Sequence, residues 1–262
     1  MKGWWKRTFL FWMLMAFSLV AEIASGQDAV LQIGRQMANI REMLETYIML
    51  GAKIEYDAPK ERLKKLMGEY EQTLDDMVKR FPDPEIQKSV DKSKKAWQPL
   101  KKDLLEAFET EDSKKLRQEA MRIHSEIRGV IRELEKMKEW VIAKEKVPNV
   151  EALDAAIEIG ASSQRLTSHY MMKMWGLPDP TIKEHWDRGV AKYEKAIEVL
   201  KASKFAKDPK FKKLLRAVER DLNYFKTVIT FEDDYMPVVV HRRGKDALER
   251  SMQMVQIILA DR

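Results

Sequence analysis

The apolar residues of this chain recur at steps of three and four over long stretches, which is the spacing of one face of an α-helix. No stretch alternates between apolar and polar residues for long, as a half-buried strand would. Turn and capping residues divide the pattern into eight helices. The first is predicted from about Asp28 to Gly51, and the others open near Asp57, Asp83, Ser113, Asn149, Ile182, Asp208 and Pro237. The sequence therefore predicts an all-α protein.

Two segments need a closer reading. Pro99 lies inside the third helix, where its missing N–H group and its ring predict a kink or a local break. Val238-Val239-Val240 has strand propensity. The proline at its head and the helical pattern behind it favour a helix start instead.

The two halves of the chain repeat the same order of features. Tyr70-Glu71-Gln72-Thr73-Leu74 in the second helix corresponds to Tyr193-Glu194-Lys195-Ala196-Ile197 in the sixth. The third and seventh helices both open on Asp-Pro, at Asp83-Pro84 and Asp208-Pro209. Four amphipathic helices joined by short loops bury their apolar faces well as an up-down bundle. The prediction is two tandem antiparallel four-helix bundles, residues 27–147 and 148–262.

The fifth helix carries a stripe that is apolar at both ends and polar in the middle. It runs through Leu153, Ile157, Ala161, Gln164, Ser168, Met171 and Trp175. Burying polar groups costs free energy unless they find partners. Two explanations stay open from the pattern alone, a water-filled or loosely packed layer and a small polar ligand held between helices.

The segment Ala-Ser-Ser-Gln-Arg-Leu-Thr-Ser-His-Tyr-Met-Met-Lys-Met-Trp, residues 161–175, resembles the helix motif of the PilJ/NarX-type sensor domain. That motif is roughly A-G-R-Q-R-M-L-S-Q-R-M-A-K-x-Y, and the identical positions are Gln164, Arg165, Ser168, Met171 and Lys173. Ser162, Ser163, His169 and Tyr170 depart from it, so the second arginine of the motif is missing. The resemblance implies a sensory module outside the cytoplasm. In nitrate-sensing members of that family, the arginine at the position of Arg165 contacts the anion at a dimer interface. The resemblance implies the same role for Arg165.

The first helix carries a weaker copy of this motif. Ile33-Gly34-Arg35-Gln36 corresponds to residues 161–164, but Met37 replaces Arg165 and Ile40 replaces Ser168. We therefore expect one ligand-competent copy and one structural copy. The candidate ligand-binding residues are Arg165, Gln164, Ser168, Arg35 and Gln36.

Arginine suits a small oxyanion because its guanidinium stays charged and presents donors in a rigid fork. A hydrogen bond to a charged group contributes about 1.5–3 kcal/mol, whereas micromolar affinity needs roughly 8 kcal/mol. One arginine is therefore too few, and a second from a homodimer would about double the contribution. The alternative reading of Arg165 is a surface side chain that extends along its own helix.

The first 26 residues resemble a signal peptide. Lys2, Lys6 and Arg7 precede a short apolar stretch, and Ala24-Ser25-Gly26 offers a cleavage site; an uncleaved anchor stays an alternative. The expected location is the periplasm or the exterior. The absence of cysteine excludes a lipoprotein anchor, a disulfide, a cysteine-type zinc site and c-type haem attachment.

Charge and motif content exclude several function classes. Loss of Lys2, Lys6, Arg7 and Glu22 with the signal would lower the net charge from +6 to +4, a smaller excess than nucleic-acid-binding proteins usually show. No nucleophile, phosphate-loop or metalloprotease motif is present, so neither an enzyme nor a cofactor is predicted, and a His/Met haem pocket is the weakest hypothesis. The four histidines, His124, His169, His185 and His241, are predicted at boundary or surface positions.

Two hypotheses for the function follow. The first is an exported sensory module that binds a small anion such as nitrate or nitrite and relays occupancy to a membrane receptor or another periplasmic protein. The second is a helical structural or protein-interaction module without a ligand. It predicts that Arg165 is exposed or paired with a carboxylate.

Overall fold

In the computed structural model, residues 4–110, 112–231 and 234–261 are described, and their side chains from Gly26 onward. These residues form eight α-helices and one short 3-10 helix, and no strand occurs among them. The all-helical prediction is confirmed. The helices are α1 (Trp4–Gly51), α2 (Pro59–Arg80), α3 (Pro84–Glu106), α4 (Ser113–Glu145), α5 (Val150–Met174), α6 (Ile182–Ala202), α7 (Pro209–Val228) and α8 (Pro237–Ala260), with the 3-10 turn Lys204–Lys207 before α7.

Aspartate and proline set several helix starts locally. The Asp83 carboxylate accepts the Glu85 backbone N–H at 2.9 Å, and Pro84 follows at the first helical position. Asp208 caps α7 in the same way. Such caps satisfy backbone donors that have no partner within the helix. Val238 lies in the first turn of α8, so the preference for a helix there over a strand was correct.

Three local expectations differ from the structure. Helix α1 begins at Trp4, well before Asp28. Helix α3 continues through Pro99 without a break. Asp57 does not cap α2, because the residue before the helix, Ala58, is left-handed and makes no side-chain cap. The Asp57 carboxylate instead accepts from Arg62 and from Lys245 on α8.

The helices of each half contact one another in the same order. Helix α1 packs against α2 and α4, and α3 packs against both α2 and α4; α5, α6, α7 and α8 repeat this arrangement. The halves meet chiefly where α1 packs against α5. A Cβ atom added at Gly34 would lie 2.2 Å from Ile157 Cγ2. Glycine is therefore needed for the close approach of the two helices.

Within the described ranges, no helix has both the length and the apolar character needed to cross a bilayer. The predicted signal peptide, residues 1–26, lies almost wholly among side chains outside the described set. It therefore stays a prediction.

Candidate functional site

A cleft of about 270 Å³ opens between α1, α4, α5 and α6. We call it the cationic cleft, because six basic side chains and only one carboxylate line it. The basic residues are Arg41, Arg128, Arg132, Arg165, Arg188 and Lys192; the carboxylate is Glu135; Leu44, His124, Ile127, Ile131, Ser168, His169 and His185 complete the lining.

Arg165, the leading candidate from the sequence, lies in this cleft and is partly buried. Its Nη1 atom is fully buried and has no hydrogen-bond partner among the described residues. Glycine at position 189 on α6 leaves space for the side chain, since a Cβ there would lie 3.2 Å from Arg165 Cδ. The Arg165 side chain is therefore partly buried, with unused donor capacity at Nη1.

Arg41 brings a second guanidinium to the same cleft from α1. It is only 4% exposed, and its Nη1 donates to the Met37 carbonyl at 3.0 Å within its own helix. Burial, followed by the charge of Arg165, lowers the pKa of Arg41 to about 9, although Glu158 and Glu135 oppose the shift. The charge of Arg165 thus disfavours the charged form of Arg41, and an anion beside Arg41 would relieve that repulsion.

Glu158 is a buried carboxylate that interacts electrostatically with both Arg41 and Arg165. Its Oε1 accepts a hydrogen bond from Ser162 Oγ at 2.6 Å. Burial acts to raise the pKa of Glu158, but Arg165, Arg41, Lys192 and the Ser162 hydrogen bond together hold it below its usual value. Glu158 is therefore ionised, yet neither Arg41 nor Arg165 forms an ion pair with it within 4 Å.

Three histidines from three helices meet at one end of the cationic cleft. The ring centroids of His124 and His169 are 5.5 Å apart, and His185 lies 6.1 and 5.7 Å from them respectively. Burial lowers the pKa of His124 to about 4 and of His169 to about 3. The prediction of boundary or surface histidines was wrong for these two, and for His241, which is 1% exposed.

Metal binding at the histidine cluster has no geometric support. Across the described parts of the chain, no group of three or more histidine, aspartate or glutamate side chains is arranged to hold a metal ion. His124 Nδ1 instead faces the Asp179 carboxylate at 3.6 Å. His185 Nε2 lies 3.3 Å from Arg128 Nη1.

The polar middle of α5 is satisfied largely by its own backbone. Ser168 lines the cleft, but its hydroxyl donates to the Arg165 carbonyl at 2.9 Å. Thr167 donates to the Ser163 carbonyl, and a Cβ at Gly244 on α8 would lie 2.3 Å from Thr167 Oγ1. Small hydroxyl residues here allow α8 to pack closely against α5. Gln164 is fully buried, neither of its side-chain polar atoms has a hydrogen-bond partner in the part of the chain that the structure describes, and it does not line the cleft.

The two candidates from the first half lie elsewhere. Arg35 and Gln36 line a separate cleft between α1, α2 and α8. Gln36 Nε2 donates to Thr73 Oγ1 at 2.8 Å. The structure thus brings Arg165 and Ser168 together and separates them from Arg35 and Gln36.

Sequence reasoning missed most of the basic residues of the cleft. Arg128 and Arg132 are four residues apart on α4, as are Arg188 and Lys192 on α6, so each pair shares a helix face. That spacing is visible in the sequence, but it equally describes a solvated face. Arg41 offered a clearer signal, since on its helix face it lies between the apolar residues Met37, Leu44 and Ile48.

Comparison with known proteins gives no relative for this chain. No family model, no curated protein and no solved structure matches it.

Proposed function

We propose that this protein binds a small anion in the cationic cleft, with Arg165 and Arg41 as the inner contacts. The observation that carries the proposal is the Arg165 guanidinium, which is partly buried and lacks a partner at Nη1. A buried polar group without a partner costs free energy, and a charged group costs more. An anion in the cleft removes that cost.

The number of basic groups in one chain suffices for useful affinity. Hydrogen bonds from the two inner arginines supply roughly 3–6 kcal/mol at 1.5–3 kcal/mol each, and micromolar affinity needs about 8 kcal/mol. Arg132, Arg188 and Lys192 at the cleft mouth can supply the remainder. A homodimer is therefore not required to provide the second arginine, because Arg41 provides it from the other half of the same chain.

The proposal extends to the architecture and to a sensory role. The repeated order of helix contacts supports two four-helix units, residues 27–147 and 148–262. A relationship to the PilJ/NarX-type sensor domain rests on the motif at 161–175. Since the cleft is lined from both units, an anion bound by Arg41 and Arg165 would shift α1 relative to α5. That shift would be relayed to a membrane receptor or another protein outside the cytoplasm, with residues 1–26 as the export signal.

A ligand-free structural or interaction module is the second candidate. The ionised Glu158 favours it, because this carboxylate already offsets part of the charge of Arg41 and Arg165. In that case the cleft would be occupied by water and the arginines would stabilise only the fold.

A thermal-stability screen separates the two candidates, because a ligand that binds only the folded state raises the melting temperature. Nitrate, nitrite, sulfate and phosphate are tested as sodium salts at matched ionic strength. Anion binding predicts a concentration-dependent rise that Arg165→Gln abolishes. Arg216→Gln, at an exposed position on α7 outside the cleft, is the matched control and keeps the rise. A flat panel, or equal rises in both variants, rejects the proposal.

A further inference from the structure

The basic side chains of the cationic cleft are spread along its length and not gathered at one point. On α4 the lining residues run from His124 through Arg128 and Arg132 to Glu135, which is about 16 Å at 1.5 Å per residue. On α6 the corresponding lining residues are His185, Arg188 and Lys192. Successive basic residues on each helix are therefore about one turn, or roughly 5–6 Å, apart.

The basic residues also lie at two depths. Arg41 is buried and Arg165 is partly buried, so these two form the inner group. Arg128, Arg132 and Arg188 are exposed at the mouth. A single-centre ion such as nitrate, held by the inner group, contacts fewer of these side chains than a longer anion that extends from the inner group to the mouth.

Only part of the positive charge of the cleft is neutralised by described carboxylates, since Glu158 acts on both Arg41 and Arg165. Lys192 faces Glu135 at 3.9 Å, and Arg188 is paired with Glu184 on its own helix. Among the described residues, the only hydrogen-bond partner of the Arg128 side chain is the His185 imidazole. Arg132 makes no hydrogen bond or ion pair with the described residues, and the Arg41 side chain bonds, within that same set, only the Met37 carbonyl of its own helix. An ion of charge −1 at the inner group would leave Arg128 and Arg132 without an anionic partner among the described residues.

We propose that the ligand is a small polyanion whose negative groups are separated by about one helical turn. One group meets Arg41 and Arg165, and the other meets Arg132 and its neighbours at the mouth. Short di- and tricarboxylates and pyrophosphate share this chemistry. The inference rests on the proposed anion binding and specifies the class of anion.

Titration calorimetry at constant ionic strength tests the inference with matched ligands. Acetate and nitrate are the single-centre ions, succinate and citrate are the carboxylate polyanions, and pyrophosphate is the phosphate polyanion. We expect at least one polyanion to bind about tenfold or more tightly than either single-centre ion. Tighter binding of citrate identifies a carboxylate ligand, and tighter binding of pyrophosphate identifies a phosphate ligand.

Two variants separate the inner and outer contacts. Arg132→Gln, at an exposed position, is expected to weaken binding of the polyanion more than binding of nitrate, so that the ratio of the two affinities falls. Arg165→Gln is expected to weaken both classes. Equal affinity for nitrate, succinate and pyrophosphate would overturn the polyanion class and leave anion binding intact. Absence of heat for every anion would reject anion binding itself.

Discussion

The Nδ1 atom of His169 lies 2.6 Å from the Arg165 backbone carbonyl. A carbonyl only accepts, so Nδ1 carries the proton and the neutral ring leaves Nε2 as an acceptor. Nε2 is fully buried and has no hydrogen-bond partner within residues 26–110, 112–231 and 234–261. The imidazole at this end of the cationic cleft can therefore take up a proton only at Nε2, and burial opposes that by lowering the pKa of His169.

Acid is expected to destabilise the ligand-free protein as the pH falls from 7 to 5. His124 and His169 have folded pKa values of about 4 and about 3, below the unfolded value near 6.5. The unfolded chain binds more protons between these limits, so stability is lost through this window. The loss is roughly 2 kcal/mol per histidine. Denaturant unfolding at several pH values measures it.

The matched variant for this prediction is His169→Gln, which cannot titrate. About half of the acid-dependent loss should disappear in it. An unchanged pH dependence would show that other groups cause the loss.

Anion affinity is expected to rise as the pH falls from 7 to 5. A bound anion favours the protonated imidazoles of His124 and His169, so binding takes up protons and is stronger in acid. Titration calorimetry in buffers of different ionisation enthalpy measures the proton uptake directly. Constant affinity and no proton uptake would exclude a role for the histidines in binding.

Glu135→Gln is expected to strengthen anion binding by several-fold. This residue supplies the only carboxylate in the described lining of the cleft, and its removal also frees Lys192, which it faces at 3.9 Å. The negative charge of Glu135 repels a bound anion, and added salt screens this repulsion. Glu133→Gln is the control, since that carboxylate pairs with Lys136 outside the cleft. A weaker affinity in Glu135→Gln contradicts the assignment.

Gly34→Ala is expected to destabilise the protein by about 1–3 kcal/mol through overpacking. The new methyl group would lie 2.2 Å from Ile157 Cγ2, at the contact of α1 with α5. Gly68→Ala is the matched control, because no described atom beyond its chain neighbours and its own helix backbone lies within 4 Å of a Cβ there. That substitution should stabilise α2 by up to about 1 kcal/mol. Equal effects of the two substitutions in urea unfolding would contradict close packing at Gly34.

His241→Phe is expected to cost about 3–5 kcal/mol, because it leaves a buried carboxylate without its partner. Glu45 is 1% exposed and bonds His241 Nδ1. Arg62 lies 3.1 Å from the other ring nitrogen. The double variant Glu45→Leu/His241→Phe should recover much of the loss. If the stability losses of the two single variants add up to that of the double variant, the two side chains do not interact.

The candidate site could be predicted only in part. Arg165 was found through its helix motif, and it lies in the cationic cleft. Arg35 and Gln36 were grouped with it because their motif is similar, yet they line a different cleft. Motif similarity describes one helix at a time, whereas a cleft needs side chains from several helices.

The sequence by itself determined the helices and most of their ends. An aspartate cap such as Asp83 or a proline such as Pro237 acts on backbone groups within one turn. The helix start can therefore be predicted from residues that are close in sequence. Only the tertiary structure decided that Arg41, Arg165 and the three clustered histidines share one space. Those residues come from four helices, and their proximity depends on how closely α1, α4, α5 and α6 pack, which no local pattern encodes.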